Sequence, residues 1–200
     1  MNSNSTATAF LPTIVVPQRH RDDRGWFSES FNKSRMHEAG ITCEFVQDNQ
    51  SGSKRAGTLR GLHFQFPPAA QAKLVTVLRG KILDVVIDIR NGSPSYGEYV
   101  STELSAAAGQ QFYVPTGFAH GFMTLEDDVV VMYKVSNYYS PAHDSGIRWN
   151  DPDVAFPWPV APADVILSDK DRRLPFLKDF VSPFPYDGHS LKAFPGAGFD

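Results

Sequence analysis

A single cysteine, Cys43, stands in 200 residues. No internal disulfide can therefore staple the chain, and a reducing cytoplasm is its expected setting. Beside Phe45, that cysteine reads as a small buried hydrophobe. No apolar run approaches the roughly 20 residues of a membrane-spanning helix. The opening MNSNSTATAF has neither the basic nor the apolar region of a secretory signal. Excess positive charge is missing too. A net charge of −3 leaves no electrostatic footprint for nucleic acid, so an anionic ligand has to be held by local arginines and lysines. The sequence has no internal repeat and no low-complexity run.

What is present describes a globular β protein. Hydrophobic residues make up 42% and aromatics 12% of the chain, enough for a core at this length. Fifteen prolines and fifteen glycines among β-branched and aromatic residues predict short strands joined by tight turns. Strand-like stretches fall at 12–16, 43–48, 57–65, 71–79, 81–90, 97–104, 110–114, 118–125 and 129–137, the spacing of a sandwich or small barrel. One short helix is predicted over Lys33–Ala39, with Asn32 as N-cap and Gly40 as its stop. In Lys81–Arg90, Leu83, Val85, Ile87 and Ile89 share an apolar face. Ile82, Asp84, Val86, Asp88 and Arg90 share a mixed one, suited to a wet interior or to solvent. Residues 1–9 read as a lead-in, the text from Ser140 as loop, and residues 181–200 as an extended or loosely docked tail.

Two strings carry chemistry. In Leu59-Arg60-Gly61-Leu62-His63-Phe64-Gln65, alternation sends His63 and Gln65 to one side and Leu62 and Phe64 to the other. Val114-Pro115-Thr116-Gly117-Phe118-Ala119-His120 supplies a Pro-x-Gly-x-x-His turn into a later strand. The pairing resembles the signature of cupin-type jelly-roll barrels. The metal-binding version needs His-x-His and a nearby glutamate. Here Gln65 replaces the second histidine and Pro67-Pro68-Ala69-Ala70 takes the glutamate's neighbourhood. Two histidines make a poor divalent site, so no metal is expected.

A strand histidine near neutral pH is the default general base, and it needs an orienting acid. Asp84 and Asp171 are both candidates for that acid, and alternation does not choose between them. Lys73 groups with Val75 and Val77, so its ammonium can point inward toward an oxyanion. Tyr133, between Val131 and Val135, can present a phenol to the same space. Taken singly, each has a plainer reading: a hydrogen-bonded structural histidine, a solvated lysine, a core tyrosine with a satisfied hydroxyl. His20, His37, His143 and His189 read as solvent-facing, and Asp22-Asp23-Arg24-Gly25 as a polar turn.

Taken together and in order, the strings resemble the dTDP-4-dehydrorhamnose 3,5-epimerase family over roughly residues 10–180. They are Asp23–Glu29 (DRGWFSE), Gln47–Ser51 (QDNQS), Gly57–Gln65 (GTLRGLHFQ), Lys73-Leu74-Val75, Asp84–Arg90, Gly117–Phe122 (GFAHGF), Tyr133-Lys134, Gly146–Asp151 (GIRWND), Leu167-Ser168 and Lys170-Asp171. The resemblance implies an all-β cupin-type jelly-roll barrel with a few short helices, spanning 1–180 with 181–200 as tail. It implies a dTDP-4-keto-6-deoxyhexose substrate, deprotonated beside its ketone at C3 and C5 and reprotonated from the other face, with no cofactor. No Gly-x-Gly-x-x-Gly opens a helix here, as a nicotinamide site would need. By the same resemblance His63 is the base, Asp171 its carboxylate partner, Lys73 the enolate stabiliser and Tyr133 the opposing acid. Arg24, Phe27, Glu29, Gln47, Asn49, Arg60 and Arg148 hold the nucleotide, and His120 and Asp84 lie inside the barrel. Tyr139 is an aromatic near the sugar that bears on whether one or both carbons react. Strict alternation turns Arg60 away from His63, which calls for a bulge at Gly61 or a different wall for Arg60. Gln18-Arg19-His20 and Ala72 depart from the family pattern without touching the proton relay.

The resemblance also implies a homodimer with exchange of an N-terminal strand, the run Arg24–Glu29 contributing to the neighbour's site. The competing readings are a single-site C3- or C5-epimerase, a catalytically silent nucleotide-sugar-binding barrel and a metal-dependent cupin.

Overall fold

The structure is a computed structural model that describes residues 9–192. Its strands are β1 (Thr13–Val15), β2 (His20–Asp22), β3 (Gly25–Phe27), β4 (Gln47–Ser53), β5 (Leu59–Gln65) and β6 (Lys73–Arg79), with helix α1 (Lys33–Glu38) between β3 and β4. They continue as β7 (Lys81–Asp88), β8 (Tyr99–Ser105), β9 (Gln111–Val114), β10 (Phe118–Thr124), β11 (Val129–Val135) and β12 (Asp144–Gly146), followed by the short helix α2 (Asp169–Arg172). Two five-stranded sheets, ordered β1-β9-β6-β11-β4 and β12-β5-β10-β7-β8, face one another, and β2-β3 forms a separate hairpin. Every strand pair is antiparallel. This is the double-sheet, cupin-type barrel.

Alternation builds the layers. Val75 and Val77 of one sheet meet Ile82, Val86, Phe118 and Phe122 of the other in the core between them. The odd-numbered face of β7, Leu83, Val85 and Ile87, lies outside that core. It is covered there by Ile147, Val154, Leu177 and Phe184 from the C-terminal third of the chain. The even face, expected to meet water or a wet interior, is interior throughout: Asp84 and Asp88 are both fully buried. The opposite sheet is backed by α1, whose Met36 packs with Leu74 and Tyr113. Asn32 caps that helix by accepting from the Ser34 and Arg35 amides, and Gly40 leaves it at φ +82°, the left-handed stop that glycine tolerates.

Several expectations change. The strand expected at 43–48 begins only at Gln47, because Cys43 and Phe45 turn to the cluster beneath α1. β1 lies on this chain's own β9, where Ile14 packs against the central core. His37 and His143 are half-buried rather than solvent-facing. The tail is more firmly held than expected over 181–192. Phe184 and Ser182 are buried, the Ser182 hydroxyl donates to the Ile89 carbonyl, and Asp187 meets the buried Arg90 guanidinium at 2.8 Å. Residues 1–8 of the lead-in and 193–200 of the tail lie outside the described residues. No helix among the described residues is long and apolar enough to cross a membrane.

Candidate active site

The site is set by where β5 departs from regular pairing. Opposite β10, His63 faces His120 and Arg60 faces Phe122, so three steps on β5 answer two on β10. The extra residue is a bulge at Gly61-Leu62, and it returns Arg60 to the same wall as His63. Gly61 permits this by two properties. Its φ is +120°, and a Cβ there would stand 2.7 Å from the Gly121 Cα. Of the two solutions that alternation left for Arg60, the chain uses the bulge.

His63, Arg60 and His120 line one side of a cavity of about 430 Å³, with Lys73, Val75 and Tyr133 of the facing sheet on the other. Asp171 arrives from α2, which the chain docks by a parallel bridge between Thr58 and Ile166. Ser168 caps that helix by accepting from the Asp171 amide. The Asp171 Oδ1 then lies 2.6 Å from His63 Nε2. Burial works to raise the Asp171 carboxyl, but hydrogen bonds from His63 and Ser168 outweigh it and hold it below the ordinary carboxylate range. An ionised carboxylate only accepts, so the proton on His63 sits on Nε2 and the free lone pair on Nδ1. Asp84 partners the other histidine, His120, at 2.9 Å. Burial lowers His120 and raises Asp84, each partly offset by the other.

Lys73 Nζ donates to the His63 carbonyl at 3.2 Å. Loss of hydration in the cavity wall lowers the ammonium to about 8, while Asp84 and Asp144 pull in the opposite direction. Burial raises the Tyr133 phenol, with Arg60 opposing. The phenol is thus a protonated donor across the neutral range.

Not every expected residue reaches this cavity. Gln47, Asn49 and Tyr139 gather beside it. Gln47 donates to Asn49 at 2.8 Å and accepts from the Tyr139 amide at 3.1 Å, and Asn49 pairs with Tyr133 across β4 and β11. Arg148 is directed elsewhere, its Nε donating to the Leu174 carbonyl and its guanidinium lying 4.4 Å over Phe176. Arg24, Phe27 and Glu29 lie on or just after the exposed hairpin. There Arg24 pairs with Asp22 and Glu29 with Arg35. Lys170, Ser168 and Ser51 line the cavity, although the sequence names them only within matching strings, without giving them a role. Lys170 pairs with Asp144, whose Oδ2 also accepts from the Tyr139 hydroxyl. Adjacency to Asp171 was the available signal for Lys170. For Ser51 it was the period of two from Gln47 and Asn49. Among the described residues no cluster of three or more His, Cys, Asp or Glu side chains is placed to hold a metal.

His63 stands on one sheet and Tyr133 on the sheet facing it, so an imidazole and a phenol oppose one another across the cavity. The double-sheet barrel with its cavity between the sheets is of the cupin class. The chain belongs to the dTDP-4-dehydrorhamnose 3,5-epimerase family, whose model matches residues 12–179. It is 46% identical over 173 residues to the dTDP-4-dehydrorhamnose 3,5-epimerase of Sinorhizobium fredii, covering 86% of this chain and 88% of that one. The Bacillus anthracis enzyme of that name, solved with TDP and pyrophosphate bound, is 52% identical with a TM-score of 0.80, over 82% of this chain and 93% of that one. A Legionella pneumophila epimerase solved with dTDP-4-keto-L-rhamnose is 42% identical with a TM-score of 0.79, over 86% and 92%.

Proposed function

We infer that the protein converts dTDP-4-keto-6-deoxyglucose to dTDP-4-keto-L-rhamnose by inverting C3 and C5, in dTDP-rhamnose biosynthesis. The observation that carries this reading is the placement of His63 and Tyr133 on facing sheets around one cavity. The C4 ketone acidifies the hydrogens on both neighbouring carbons. His63 takes one of them at Nδ1, and the C–H electron pair becomes the enolate. Lys73 stabilises the oxyanion as an ammonium, and Asp171 stabilises the imidazolium. Tyr133 gives its phenolic proton to the carbon from the other face, and solvent restores both groups. The same steps at the second carbon complete the double inversion. Electrons balance without an oxidant or reductant, so the sequence of steps calls for no cofactor.

Arg60 and Lys170 are the cations in the cavity wall suited to the diphosphate. Gln47, Asn49 and Tyr139 sit where the nucleotide leaves the cavity. Arg24, Phe27 and Glu29 serve the site of a second copy in a homodimer. In support, the β2-β3 hairpin leaves Trp26 55% and Phe27 66% exposed, away from this chain's own cavity. Cys43 remains a free thiol, in keeping with a cytoplasmic enzyme.

Incubation with dTDP-4-keto-6-deoxyglucose in deuterated water, read by NMR, tests the reading. Label is expected at C3 and C5. Label at one carbon replaces the double inversion with a single one, and no label overturns the catalysis.

A further inference from the structure

The inward face of β4 is polar along its whole length. Gln47, Asn49, Ser51 and Ser53 face in, while Asp48, Gln50 and Gly52 are exposed. On the adjoining β11 the inward positions are Val129, Val131, Tyr133 and Val135, mostly apolar. Three of the four β4 side chains have partners. Gln47 and Asn49 hydrogen-bond to one another, and Ser53 Oγ accepts from Arg60 Nε at 3.3 Å. Ser51 lies between them in the cavity wall, and its buried Oγ has no hydrogen-bond partner among the described residues. A hydroxyl enclosed without a partner is disfavoured unless something met in function supplies one. A turn about χ1 to another staggered well is the motion by which the Oγ would meet a ligand in the cavity.

The surroundings say what that partner is. Ser51 pairs with Val131, two residues along from the Asn49–Tyr133 pair and on the same face, which places it on the wall beside the phenol that faces the reacting carbons. Val75 lines the cavity from the same sheet and Phe122 from the facing one. Beside these apolar side chains the Ser51 hydroxyl is a neutral group suited to a ring hydroxyl brought in with the ketone. The guanidinium of Arg60, steered by Ser53 and by the Gly52 carbonyl, is the stronger group for a phosphate.

We propose that Ser51 recognises the hexose: its Oγ hydrogen-bonds a non-reacting hydroxyl of the sugar ring, distinguishing a dTDP-hexose from dTDP alone. The assignment rests on the epimerase reading for the substrate class. Its test uses a ligand that binds without reacting.

Calorimetry on the full chain compares dTDP-glucose, which carries ring hydroxyls but no ketone, with dTDP. In Ser51→Ala the dTDP-glucose Kd is expected to rise about threefold to tenfold, the range of one neutral hydrogen bond, with dTDP unchanged. Ser51→Cys, near in volume and a poor donor, is expected to lose the same factor. Turnover of the keto-sugar should show the loss in KM with kcat held. Equal weakening of both ligands, wild-type affinity in either variant, or a loss confined to kcat overturns the proposal. Deuterium uptake by the wild type is read separately, so a failure of catalysis and a failure of the Ser51 assignment are told apart.

Discussion

Lys73 carries the sharpest consequence at the scale of single residues. Its proposed work requires an ammonium, and burial has brought the group down to about 8. Below that value the charge is present; as the pH rises through it, the proton leaves and the developing enolate loses its counter-charge. The rate of deuterium uptake is therefore expected to fall as the pH passes through about 8. Lys73→Met should remove that limb and slow the reaction on the order of a hundredfold to a thousandfold, the scale of one lost electrostatic donor. A flat profile between about pH 7 and about pH 10 in the wild type would contradict the role. The sequence already placed Lys73 with Val75 and His63 with Gln65, since a period of two needs only neighbours. Alternation left Asp84 and Asp171 tied as partners of His63, and the family resemblance alone named Asp171. The choice lies 108 residues away along the chain, on a four-residue helix too short to leave a periodic mark.

Among the elements, the bulge on β5 decides the shape of the site. Gly61 combines a left-handed φ of +120° with a 2.7 Å approach to the Gly121 backbone, so any side chain there has to push two central strands apart. Gly61→Ala is expected to lower the melting temperature, at roughly 2–4 °C per kcal/mol for a chain of this size. It should also weaken nucleotide binding by moving Arg60 off the His63 wall. Thermal denaturation read beside dTDP affinity checks both, and wild-type values in both would remove the bulge from the site's design. Strands with apolar alternation, β6, β7 and β11 above all, were legible in the sequence to within a few residues. β4 was not, because its inward face has no apolar residue to reveal the period. A wall that serves a polar ligand hides itself from a hydrophobic pattern.

The whole molecule adds a contribution that one chain cannot make to itself. If the hairpin of each copy completes the other's cavity, then Arg24→Ala and His63→Ala damage different halves of the same site. Each variant alone is expected to be nearly inactive. Mixed in equal amounts under conditions of subunit exchange, they form hybrids in which one site is intact, recovering up to about a quarter of wild-type activity. Recovery no greater than the sum of the two variants would place Arg24 outside the neighbour's site. Dimerisation was implied by the family strings alone, for periodicity describes how a chain covers its own core and is silent about a hairpin that leaves it.

The order in which the chain is made matters as well. The carboxylate that holds His63 comes 108 residues after it, and Asp187 comes 97 residues after the Arg90 it caps. A ribosome releases the strands of both sheets well before either partner emerges. Until then Arg90 has Asp88 as its acidic partner and the Phe118 ring beneath it, and the outer face of β7 waits for Phe184. Docking of these later segments thus follows synthesis of the strands of both sheets. A nascent chain paused before residue 171 exposes the apolar back of its second sheet, the kind of surface that chaperones engage.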